Sequence, residues 1–120
     1  MNVYEEAHRL AQAIKESGEY KDFMDAQKEI EGNEDLKGLI AEYKQLQLWA
    51  AGYIGENQHP EEKLMEMMSV PEGQRLNQLV AILSANPVTQ RYMEAEMRLG
   101  VMVMDAIQVV QEAVPVGKPL

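Results

Sequence analysis

The chain contains no cysteine. That absence excludes disulfides, thiolate zinc sites, iron–sulfur clusters held by this chain's own thiolates, and cysteine nucleophiles. Aromatic residues are scarce: one Trp, one Phe and five Tyr in 120 residues, although 46% of the chain is hydrophobic. Aliphatic side chains and nine methionines carry that content, which suits helix packing better than a β-sandwich. Five prolines and eight glycines are too few for a disordered, low-complexity chain. No apolar run approaches the roughly 18–20 residues that span a bilayer. The opening Met1-Asn2-Val3-Tyr4-Glu5-Glu6 is acidic and amphipathic, which is not a signal-peptide pattern, so a cytoplasmic protein is expected.

Basic side chains are also in the minority. Eleven Lys and Arg stand against twenty Asp and Glu, for a net charge of −9, and no segment holds a basic patch. Nucleic-acid binding needs cations that displace condensed counterions, so no direct nucleic acid and no membrane partner are expected. The length suits a single core. The fold class expected is all-α, an antiparallel bundle of five to six helices. One helical domain is read over residues 1–114, with a flexible tail at 115–120.

Apolar spacing places the helices. Val3, Ala7, Leu10 and Ile14 make one stripe of a helix from about Asn2 to Ser17, which Gly18 is expected to end. A short second helix carries Tyr20, Phe23, Met24, Gln27 and Ile30, closes on a left-handed Gly32-Asn33 cap and forms a hairpin with the first. A third runs from about Glu34 to Gly55 with a wide face of Leu36, Leu39, Ile40, Tyr43, Leu46, Ala50, Tyr53 and Ile54. Leu48 and Trp49 fall off that face. Pro60 opens a fourth helix holding Leu64, Met65, Met67 and Met68, and Pro71 breaks the path before Leu76, Leu79, Val80 and Leu83.

The last helix is the most informative. Asn86 is a good N-cap and Pro87 fits the first helical position. Val88, Tyr92, Ala95, Leu99, Met102, Ala106, Val109 and Ala113 then repeat without a slip. A helix from Pro87 to Val114 is about 42 Å long at about 1.5 Å per residue, longer than a domain of this size needs to cover its own core. Gly100, Met104 and Ile107 continue a second stripe begun by Met93 and Met97, and Val103 and Val110 widen it. A helix apolar nearly all round must be buried nearly all round. Either this helix sits centrally in its own bundle with a methionine-rich core, or another copy or another protein covers it. Coverage by another copy or another protein is expected, giving a homodimer or higher self-assembly. The candidate interface is Met93, Met97, Leu99, Gly100, Met102, Val103, Met104, Ile107 and Val110, with Leu48 and Trp49 on the third helix.

Chemistry finds little support. Glu-x-x-His occurs twice, at Glu5/His8 and Glu56/His59, and paired motifs of this kind hold di-iron or di-manganese in helical bundles. A di-metal bundle enzyme using those four residues is therefore the alternative. Against it, Glu5 and His8 project away from the Val3/Ala7/Leu10/Ile14 stripe, and His59 precedes Pro60 in a loop. Ser17, Ser69 and Ser84 have no histidine at a suggestive spacing, and no glycine-rich phosphate loop is present. Glu94 and Glu96, two apart, do not share a helix face. No catalytic, cofactor or metal residues are assigned.

Three segments carry a family resemblance. They are Tyr4-Glu5-Glu6-Ala7-His8-Arg9-Leu10-Ala11-Gln12-Ala13-Ile14-Lys15-Glu16-Ser17 with Glu19-Tyr20, the middle stretch Leu36 to Gln47, and Asn86-Pro87-Val88 followed by Tyr92-Met93-Glu94-Ala95-Glu96 and Leu99. Together they resemble the YlbF/YmcA family of small bacterial regulatory proteins, from Val3 to about Ala113. The resemblance implies a helical, self-associating adaptor without enzymatic activity, linked to competence, sporulation and biofilm development. It also implies complexes with related helical regulators and with ribonuclease Y that influence RNA processing. Some such complexes carry iron–sulfur clusters on cysteines; this sequence has none, so no cofactor is carried over.

Overall fold

In the computed structural model, residues 1–55, 60–117 and 119 are described, Pro60 by its backbone alone. Six helices and no strand occur among them: α1 (Val3–Lys15), α2 (Gly18–Glu31), α3 (Glu34–Ile54), α4 (Pro60–Ser69), α5 (Pro71–Ala85) and α6 (Pro87–Ala113). The protein is an all-α bundle. No described helix is long and apolar enough to cross a membrane.

The helix starts follow local chemistry. Asn2 Oδ1 accepts the backbone N–H groups of Tyr4 and Glu5, at 2.8 and 3.3 Å, satisfying donors that a first turn leaves free. Asn33 does the same for Leu36 at 3.1 Å and Asn86 for Val88 at 2.9 Å. Prolines stand first in α4, α5 and α6, where the missing N–H costs nothing.

Two joints differ from the sequence reading. Gly18 does not end α1; it opens α2. Ser17 makes the joint, its hydroxyl donating to the Ile14 carbonyl at 2.6 Å and accepting the Tyr20 N–H at 3.1 Å. Glu16 before it is still right-handed, at φ −88° and ψ −4°. α1 and α2 do not form the expected close hairpin. Gly32-Asn33 is not a left-handed cap either. Asn33 is extended at φ −131°, because capping α3 requires it, and among the described residues only Gly55 and Gly117 have positive φ.

The described chain falls into two compact units, 29–90 and 1–28 with 91–120. In the first of these, α3, α4 and α5 pack on one another. Ile40, Met67, Leu79 and Leu83 are buried there, and every residue of the expected α3 face is at least partly covered. Thr89 is fully buried, with its hydroxyl donating to the Leu83 carbonyl and lying 3.2 Å from that of Asn86. It closes the carboxy-terminal end of α5, where helix carbonyls lack partners. Thr89→Val keeps the shape but strands a buried acceptor, so it should cost about 1–3 kcal/mol in urea unfolding. Thr89→Ser, which keeps the hydroxyl, should cost less; equal losses would remove the hydrogen bond as the cause.

The unit of residues 1–28 and 91–120 is more thinly packed. Ala26, Tyr92 and Ala95 are buried, and the Phe23 and Tyr92 rings lie 5.5 Å apart. No residue of α1 is buried at all.

Candidate protein-interaction surface

Along α6, side chains at 100° intervals fall into three faces. Tyr92 and Ala95 are buried, and Leu99, Met102, Val103 and Ala106 continue that side partly covered. A second face, roughly 130° round the helix, is open: Met97 and Met104 are 65% and 68% exposed, with Gly100 and Ile107 also exposed and Met93 partly covered, while Val110, exposed at 54%, flanks it on the Tyr92 side. The third is polar, with Arg91, Glu94, Arg98 and Asp105. The inner stripe itself emerges into solvent at Val109, which is 68% exposed.

This uncovered surface is large for its kind. Met97, Met104 and Ile107 leave on the order of 350 Å² open, within the range of the largest patch on a typical monomer, and Val101 and Val110 extend it on either flank. The Glu96 carboxylate, at one edge, accepts the Tyr92 hydroxyl at 3.1 Å.

A second uncovered stripe is the one the sequence marks on α1, outside the candidate interface. Val3, Ala7 and Leu10 of α1 lie exposed, Val3 at 78%, and Ile14 is only partly covered. The 3.6-residue period of α1 marks an apolar face; it does not say whether the same chain covers it.

On α3, Leu48 is exposed and Trp49 partly covered, its ring 5.3 Å from that of Tyr53. Trp49 borders a shallow groove shared with Leu46, Pro71 and the Glu42–Arg75 pair. Arg75 grips both carboxylate oxygens of Glu42, at 2.7 and 2.9 Å. The hydrogen bond from Arg75 holds the Glu42 carboxyl below its ordinary range, and Glu42 in turn raises Arg75. The groove joins an aromatic edge to a fixed ion pair and lies in a different unit from the α6 face.

The family model described as "Control of competence regulator ComK, YlbF/YmcA" matches residues 3–115. The chain belongs to the YlbF/YmcA family. It is 35% identical over 115 residues to a UPF0342 protein of Caldicellulosiruptor saccharolyticus, covering 94% of this chain and 88% of that one. A UPF0342 protein of Symbiobacterium thermophilum is 34% identical, over 98% and 97% of the two chains. One from Clostridium tetani is 31% identical, over 97% and 93%. No solved structure matches significantly. The match bears out the resemblance read from Tyr4–Ser17 and Asn86–Leu99, and the family's description is regulatory.

In this YlbF/YmcA member, Glu5 and His8 both face solvent on α1. Glu56 and His59 lie outside the described residues. Among the described residues no three His, Asp or Glu side chains are grouped to hold a metal ion.

Proposed function

We propose that this YlbF/YmcA protein is a cytoplasmic, non-catalytic regulatory adaptor that works through protein–protein association. It acts as a homodimer held through α6 and docks related helical regulators and ribonuclease Y. Competence, sporulation, biofilm formation and RNA processing are the functions it serves, with residues 1–114 as one working helical domain and 115–120 as its tail. The single observation carrying this reading is the open apolar face of α6, with Met97, Gly100, Met104 and Ile107 exposed. The family's description as control of the competence regulator ComK supports the regulatory part. The net charge of −9 favours partners that are proteins over nucleic acid.

Sedimentation velocity tests it directly. Each fully buried side chain of this kind contributes about 1.5–3 kcal/mol, so a handful sustains a micromolar dimer against the entropy of association. At roughly 50 µM, well above a Kd of about 1 µM, a dimer is expected. A purely monomeric protein at that concentration ends the homodimer reading.

A further inference from the structure

The open face of α6 has an internal symmetry. Met93, Met97, Gly100, Met104, Ile107, Gln111 and Val114 follow one another at spacings of 4, 3, 4, 3, 4 and 3, the seam of a coiled-coil helix over three heptads. All are exposed except the partly covered Met93, and Gln111 is the one polar side chain among them. The central Met97-Gly100-Met104-Ile107 spacing, 3-4-3, reads the same in both directions. Reversing the helix about residue 102 therefore lays Met97 on Ile107 and Gly100 on Met104.

We infer that a second copy of this chain seats on this seam antiparallel, with the two-fold axis beside residues 101–103. This rests on the homodimer reading above and adds its geometry. Shape favours it. A Cβ built at Gly100 meets nothing within 4 Å, so an open hollow lies beside one of the most exposed side chains of the seam, Met104. Antiparallel pairing fills each hollow with the partner's Met104. Parallel pairing sets hollow against hollow, and the lining atoms of such a void forgo their dispersion contacts.

The flanks agree. Val101 and Val103 border the middle of the seam, and about the two-fold axis each meets its own equivalent. Glu94 and Glu96 border only its amino-terminal end. Antiparallel pairing places them opposite the neutral Gln108 and Val110, whereas parallel pairing crowds four carboxylates at one end. Antiparallel helices also oppose their dipoles favourably.

A chain without cysteine makes the test clean. Met97→Cys and Ile107→Cys are prepared separately, one carrying a size tag, and oxidised alone and as an equal mixture. In the antiparallel dimer, residue 97 lies level with the partner's residue 107. Equivalent positions lie ten residues apart along the axis, about 15 Å, beyond the roughly 7 Å between Cα atoms that a disulfide spans. The mixture should therefore give the mixed disulfide about tenfold more than either variant gives its own homodimer. Efficient cross-linking of each variant by itself would establish parallel pairing and overturn the inference alone. A dimer by sedimentation with no cross-link in any sample would move the second copy off this seam. A monomer by sedimentation removes the homodimer reading along with it.

Discussion

Met104→Glu should convert the proposed dimer to monomer at concentrations where the wild-type chain is paired, raising Kd by about a thousandfold or more. A two-fold interface contains Met104 twice. Each copy forgoes burial worth about 1.5–3 kcal/mol and sets a carboxylate where water is excluded, a penalty of several kcal/mol per ion. A total loss of at least about 4 kcal/mol corresponds to that change in Kd. Adding Val103→Asp at the edge of the seam should deepen it. The separate chain should not suffer, since Met104 is 68% exposed in it and glutamate is as good a helix former as methionine. Far-UV circular dichroism is accordingly expected to be unchanged.

Val109 supplies the control. It is equally exposed, at 68%, but stands five residues on and roughly 140° further round α6. Val109→Glu should leave Kd within a few-fold of wild type. If both substitutions weaken association alike, added charge alone is responsible and no particular face of α6 is involved. Should neither have any effect, the seam is not the interface.

The second large effect falls at Gly73. This residue is buried near the start of α5, and a Cβ added there would stand 1.7 Å from the Met67 carbonyl oxygen and 2.6 Å from its carbonyl carbon. The obstruction is backbone, and the Met68 Cα at 3.3 Å closes the same space. No rotamer change relieves it; α4 and α5 must separate. Overpacking typically costs 1–3 kcal/mol and exceeds that where the backbone has to move. Helix propensity returns no more than about 1 kcal/mol. Gly73→Ala should therefore lose about 3 kcal/mol or more, which lowers Tm by roughly 12 °C or more in a domain of this size.

Gly38, in the middle of α3, gives the opposite sign. Nothing lies within 4 Å of a Cβ there, so Gly38→Ala should gain up to about 1 kcal/mol. Thermal unfolding of the two variants reads both signs. Equal effects of the two substitutions would falsify the close α4–α5 approach as the reason for Gly73.

Much of this was legible beforehand where the physics is local. Asn86 and Pro87 were recognisable as the start of α6, because a side-chain acceptor and a missing N–H suit the first turn whatever the helix later touches. The α3 face from Leu36 to Ile54 was correct residue by residue, since burial on one side imposes the 3.6-residue period. The joints were harder. Gly18 and Gly32 look like helix ends by residue type, whereas the joints are made by the side chains of Ser17 and Asn33 bonding nearby backbone.

The α1 stripe shows the limit of periodicity. Val3, Ala7 and Leu10 share a face as expected, and the chain leaves that face uncovered. In α4, Leu64, Met65, Met67 and Met68 look alike in sequence, and only Met67 is buried. An apolar residue is one that can be buried; whether it is depends on which helix stands opposite.

The sequence by itself determined the helical class, the starts of α3 and α6, the regulatory family and the excess of apolar surface on α6, because each depends on residue type and spacing along one segment. Only the tertiary structure decided that α1 has no buried residue, that Thr89 closes α5, and that Gly73, unlike Gly38 or Gly100, has backbone pressed against it. Those outcomes depend on which segments meet across the fold, and no interval along the chain records that distance.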